Sequence, residues 1–183
     1  MALSVWVRER LYSVEVAGRR AEATTAVAAA AAEAVFRMSD QLPEWQNATS
    51  AAWRTHLSRV WDFLSGDRTQ HHPLSAAVAT FLTSPLNHDD GQDGPDDFDR
   101  PQTIASYSAA LSAITWGVDF AVTAVMQLFD CLDLKYEGEY PLEREVEVRA
   151  VAKWVHDIVD RIVAAESQPG RAMTPELIAA VRE

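Results

Sequence analysis

Residues 102–133, QTIASYSAALSAITWGVDFAVTAVMQLFDCLD, form the stretch that decides the fold. They include no Lys, Arg or Glu, and apolar side chains would cover most of the circumference of a helix built from them. A helix that is apolar nearly all round is normally covered by neighbouring elements. We therefore predict an all-α, single-domain helical bundle that packs around a long central apolar helix.

The polar residues of this stretch follow one another at steps of three or four, which places them on one face of a helix. They are Ser108, Ser112, Thr115, Asp119, Thr123, Gln127 and Asp130. Asp119 has large apolar neighbours, which predicts a buried carboxylate that needs hydrogen-bond donors. Pockets between bundle helices with a few polar groups are common ligand sites. The candidate ligand-pocket residues are Ser112, Thr115, Asp119 and Thr123.

Gly117 interrupts the same stretch near its middle. It either lets a neighbouring backbone approach closely or breaks the helix in two. A membrane span is the competing interpretation, because about 20 residues from Ala109 onward are predominantly apolar. Asp119 would be costly in lipid, and no basic cluster flanks either end, so we favour a buried helix.

Other patterns predict the helices that surround this stretch. Residues 47–65 carry an apolar stripe at helical spacing, followed by Gly66 where a C-terminal glycine is expected. The stripe consists of Trp53, Leu57, Val60, Trp61 and Leu64. Further helices are predicted over residues 2–13, 16–38, 74–83 and 141–166. A last short helix begins at Pro175, with Thr174 as its N-cap.

Residues 86–100, LNHDDGQDGPDDFDR, are rich in Asp, Gly and Pro and predict a flexible acidic loop. A calcium loop is the alternative, but the spacing lacks the register of an EF-hand and no Glu closes it. The predicted helix that follows Pro141 opens with several Glu residues. The candidate partner-binding residues are Asp96, Asp97, Asp99, Glu143 and Glu147.

Composition limits the classes of partner. The chain has 183 residues and a formal net charge of −11, which disfavours nucleic acid and anionic membranes and favours a basic protein partner. Cys131 is the only cysteine, so no intrachain disulfide can form, and we predict a small buried thiol. The 14 Arg and 2 Lys residues are typical of a GC-rich bacterial genome. The N-terminal residues do not fit a signal peptide, so a cytoplasmic location is expected.

Several segments, taken in order, resemble the YjaG-like family of all-helical bacterial proteins. They are AAEAV ahead of a Pro-containing loop, AAWRTHLSRVWDFLSGD, PDDFDRPQTIASYSAALSA and PLEREVEVRAVAKWVHDIVDRI. The most specific of these features is Asp97-Phe98-Asp99 leading into a long helix of small residues. The resemblance implies an all-helical fold and transfers no functional site.

The sequence contains no phosphate-binding loop, zinc-ligand spacing, nucleophile elbow or dinucleotide fingerprint. We therefore predict no cofactor, metal or catalytic residue, and expect a protein that acts by stoichiometric binding of another protein. An immunity protein that neutralises a toxin is one example. The alternative is an enzyme or small-molecule-binding protein whose pocket is lined by the polar stripe around Asp119.

Overall fold

The computed structural model describes residues 2–41, 48–83, 101–136, 139, 141–167 and 173–182. Within these ranges the regular structure consists of α-helices and one short 3₁₀ turn, Arg68–Gln70. The helices are α1 (Leu3–Tyr12), α2 (Ala17–Ser39), α3 (Ala48–Leu64), α4 (His71–Thr83), α5 (Pro101–Thr115), α6 (Val118–Lys135), α7 (Leu142–Glu166) and α8 (Pro175–Arg182). The predicted all-α helical bundle is confirmed.

The helix at the centre of the bundle is α2, against which α5 and α6 pack most extensively. Helices α3 and α7 also pack on α2, and α4 lies on α5. Most of α2 is buried, and alanine occupies positions all round its surface. Small side chains let neighbouring backbones approach closely, so one Ala-rich helix can be covered on several sides.

The 102–133 stretch forms two helices instead of one. Helix α5 ends at Thr115, Trp116 has a φ of 60°, and α6 begins at Val118. Both helices are largely buried against α2 and against each other, as the apolar composition predicts. The break at Trp116-Gly117 corresponds to the second of the two outcomes that Gly117 allowed.

The amphipathic pattern of α3 is confirmed, since all five residues of its stripe are buried. The indole Nε1 of Trp61 donates a hydrogen bond to Glu33 Oε2 at 2.9 Å, which joins α3 to α2. Gly66 follows α3 with a φ of 105°, the left-handed conformation that glycine adopts at helix C-termini. Thr174 caps α8 by accepting a hydrogen bond from the Leu177 N–H at 3.2 Å.

Helix α1 covers α6 and α7 on one side of the bundle. Two ion pairs hold it there: Arg8 to Asp119 on α6, and Arg10 to Asp160 on α7. Within the described ranges, none of the helices combines the length and the apolar character that a membrane crossing requires.

Candidate functional site

Asp119 is exposed, contrary to the prediction of a buried carboxylate. Its side chain is 77% exposed, and Oδ1 accepts two hydrogen bonds from Arg8, at 2.6 Å from Nη2 and 3.0 Å from Nε. The left-handed residue at position 116 ends α5, and Asp119 lies in the first turn of a new helix. The helical spacing from Ser112 therefore no longer fixes the direction of the Asp119 side chain.

The other residues of the polar stripe are divided between the core and the surface. Ser112 is buried, and its hydroxyl has no hydrogen-bond partner within the described structure. The hydroxyls of Thr115 and Thr123 bond to the main-chain oxygens one turn earlier, those of Leu111 and Asp119. None of these candidate residues lines any of the clefts described below. Their role in ligand binding stays a prediction.

The candidate partner-binding residues fall into two groups. The described residues do not include Asp96, Asp97 and Asp99. The prediction of a flexible acidic loop without a specific calcium site concerns the same segment and also lies outside the described residues. Glu143 is exposed on the first turn of α7. Glu147 is half-buried and binds Lys135 Nζ at 2.8 Å through both carboxylate oxygens, so its charge is partly neutralised.

A cleft of about 480 Å³ opens beside the junction of α5 and α6. We call it the Trp116 cleft; its wall includes Gly18, Glu22, Phe63, Arg68, His71 and Trp116. The guanidinium of Arg68 lies 4.5 Å from the centre of the Phe63 ring and donates to Glu22 Oε1 at 2.8 Å. The cleft thus combines aromatic surface with a fixed ion pair, a combination suited to binding a partly apolar, partly polar group.

Trp116 is the most unusual residue of this cleft. It is 64% exposed, and its φ of 60° is rare for a bulky side chain. A non-glycine residue in this conformation costs roughly 1–2 kcal/mol. Such backbone outliers are concentrated at functional sites. The sequence analysis identified Gly117 as a possible break and did not identify Trp116. The order of the residues does not indicate which of the two adopts the left-handed conformation.

A second cleft, of about 610 Å³, lies where the α1–α2 connection meets the end of α7. Glu166 forms part of its lining and is only 1% exposed, and neither of its carboxylate oxygens has a hydrogen-bond partner in the described structure. The pKa of Glu166 is raised to about 7, mainly by burial and secondarily by the nearby charge of Glu22, while the charge of Arg19 acts to lower it. Sequence analysis did not identify Glu166, because its position among the acidic residues of α7 resembles that of the solvated ones.

The surroundings of Cys131 are those of a structural residue. Cys131 is a buried thiol, as predicted, and burial is the main cause that raises its pKa to about 12. A thiol with so high a pKa is a poor nucleophile near neutral pH. In the parts of the chain that the structure describes, no three His, Cys, Asp or Glu side chains are grouped so that they could hold a metal ion.

Comparisons with family models, with curated proteins and with solved structures give no significant match to this chain.

Proposed function

We propose that the protein acts by stoichiometric binding of a basic partner protein, with Trp116 as the apolar anchor of the interface. The observation that carries the proposal is the exposure of a large aromatic side chain on a backbone that must adopt a costly conformation to present it. Trp and Arg are the side chains that most often dominate the binding energy of protein interfaces. The Trp116 cleft brings both together.

The shape of the surface beside Trp116 supports the same proposal. A partner side chain that enters the cleft meets the Phe63 ring and the Arg68–Glu22 pair. Because the Arg68 guanidinium is already held on the ring and by the carboxylate, little additional side-chain entropy is lost on binding. The cleft is therefore preorganised for one anchoring residue of the partner.

The net charge of −11 supports a basic partner. Complementary charge increases the association rate and selects against partners of the wrong sign, and its effect falls as salt is added. Exposed Glu143 is a second contact point in this proposal, together with Asp96, Asp97 and Asp99. A cytoplasmic immunity protein that neutralises a toxin by such binding is one specific form of this function.

The test is a pull-down of partners from the native host with purified wild-type protein and with Trp116→Gly. This variant removes the indole and also relieves the backbone strain, so that loss of binding is separate from loss of folding. Leu82→Ser is the matched control, since Leu82 is exposed on α4 and does not line the Trp116 cleft. We expect one partner at a fixed molar ratio with wild type and with the control, and much less with Trp116→Gly.

The same pull-down also tests whether charge contributes to partner binding. Glu143→Lys is expected to weaken recovery of the same partner at low salt, and high salt is expected to weaken wild-type recovery. Equal recovery of the partner by wild type and Trp116→Gly would exclude Trp116 as the anchor. Recovery that ignores both salt and the reversed charge would exclude a basic partner.

A further inference from the structure

A groove of about 460 Å³ separates α3 from α4, and it shares no lining residue with the Trp116 cleft. Helix α3 contributes residues at helical spacing to one wall, namely Ala52, Trp53, His56 and Arg59. Helix α4 contributes the facing wall, where Pro73, Ala76 and Ala77 are small and apolar. A volume of this size accommodates a small organic molecule.

Two nitrogen-rich side chains share the α3 wall of the groove. Arg59 Nη1 lies 3.0 Å from His56 Nδ1. Because a guanidinium can only donate, Nδ1 of His56 must be the acceptor, and the ring proton of the neutral imidazole is then on Nε2. Burial, and secondarily the charge of Arg59, lower the pKa of His56, so that the ring is neutral near pH 7. Arg59 therefore supplies the positive charge, and His56 supplies a further N–H donor.

Arg59 differs from most of the described arginines in its surroundings. Seven arginines form ion pairs with carboxylates in the described parts of the chain: Arg8, Arg10, Arg54, Arg68, Arg144, Arg149 and Arg182. Half-buried Arg59 has the neutral ring of His56 as its side-chain partner there, and the residues described around the groove include no Asp or Glu. In a chain with 27 acidic residues, a groove whose described lining carries a cation and no carboxylate is unusual.

The remaining lining of the groove is mainly apolar; its polar member is Thr80, whose hydroxyl donates a hydrogen bond to the main-chain oxygen of Ala76 at 2.9 Å. The buried Trp53 ring packs edge-on against His56 at 5.2 Å and against Tyr107 of α5 at 6.0 Å between ring centres. With Pro73, Ala76 and Ala77 opposite, this ring forms a surface suited to a flat apolar body. The guanidinium of Arg59 is suited to a carboxylate, which a guanidinium binds through two parallel hydrogen bonds.

We propose that the groove between α3 and α4 is a binding site for a small organic carboxylate with an apolar body, with Arg59 and His56 as its polar contacts. The proposal is independent of partner binding at Trp116, since the two sites share no lining residue.

The test uses benzoate as the probe and benzamide as its uncharged counterpart, titrated calorimetrically into the full-length protein near pH 7. Because charge-assisted hydrogen bonds stabilise complexes more than neutral ones, we expect benzoate to bind at least about 10-fold more tightly than benzamide. Arg59→Gln is expected to remove this preference. Arg149→Gln, a change at an exposed arginine on α7, is the control and is expected to bind benzoate as wild type does.

A second variant keeps the outcome decisive if Arg59→Gln folds poorly. Ala77→Leu fills the groove without altering charge and is expected to weaken benzoate binding by about 10-fold or more through steric exclusion. Thermal melts establish that each variant is folded. Absence of benzoate binding to wild type, equal affinity for benzoate and benzamide, or wild-type affinity in folded Arg59→Gln would each overturn the proposal.

Discussion

The guanidinium of Arg19 donates a hydrogen bond to the main-chain oxygen of Glu166 at 3.3 Å, whereas the carboxylate of the same Glu166 is buried and has no hydrogen-bond partner among the described residues. The arginine therefore ties the end of α7 to the start of α2 without neutralising the carboxyl group directly. Burial raises the pKa of Glu166 from an ordinary 4.5 to about 7. This arrangement links the stability of the fold to pH.

Glu166→Gln is expected to change the pH dependence of stability. A folded-state pKa above the unfolded value means that the folded protein holds a proton that the unfolded chain releases, so stability falls as pH rises from about 4.5 to about 7. Glutamine cannot ionise, so the variant should be more stable than wild type at pH 8, by about 3 kcal/mol, and close to wild type below pH 4.5.

Urea denaturation at a series of pH values measures this difference. Glu143→Gln, a change at an exposed glutamate of the same helix, is the control and is expected to show no such dependence. A difference between Glu166→Gln and wild type that stays constant from pH 4 to pH 8 would show that Glu166 does not titrate as described.

Trp116→Gly is expected to stabilise the protein relative to Trp116→Ala. Both variants remove the exposed indole, but only glycine adopts a φ of 60° without strain. The difference in the free energy of unfolding should be about 1 kcal/mol in favour of glycine. Thermal or urea denaturation of the two variants gives the number directly, and a less stable glycine variant would contradict the assignment of strain to this residue.

The sequence predicted the buried face of helices with strong periodic contrast, but it did not predict the position of the helix without such contrast. In α3, buried Leu57 and Trp61 lie at helical spacing and exposed Arg54, Ser58 and Asp62 lie on another face, so the pattern predicted both the helix and its buried face. In α2, alanine on every side gives little contrast, and the pattern therefore indicated a helix without showing that it lies at the centre. Burial on all sides depends on what packs around the helix, which the local sequence does not state.

The candidate site was less predictable for a related reason. The prediction of a polar stripe assumed one continuous helix. Because Trp116 is left-handed, the residues after it belong to a new helix, and the spacing from Ser112 does not predict which way their side chains face. The pKa of Glu166 depends on residues distant in sequence, and the groove beside His56 and Arg59 is formed by two different helices. Such surroundings arise only from the tertiary packing.

Asp119→Asn is expected to have a small effect on stability. The ion pair with Arg8 is exposed on both sides, and exposed pairs contribute about 0–1 kcal/mol. The carboxylate also lies in the first turn of α6, where negative charge is favourable by a few tenths of a kcal/mol. A double-mutant cycle with Arg8→Gln separates the two contributions, and a loss of 3 kcal/mol or more would indicate that the carboxylate is buried after all.

Enlarging a central alanine of α2 is expected to be costly. Ala29 is fully buried in the helix on which α5 and α6 pack, so the additional atoms of Ala29→Leu have no space to occupy. Inserting methylene groups into a well-packed core typically costs about 1–3 kcal/mol, and a close helix contact is at the upper end. Ala164→Leu, at an exposed position of α7, is the matched control and should change stability by less than about 0.5 kcal/mol. Equal stability of the two variants in urea denaturation would mean that α2 is not the tightly packed centre of the bundle, whereas a large loss confined to Ala29→Leu would support its central position.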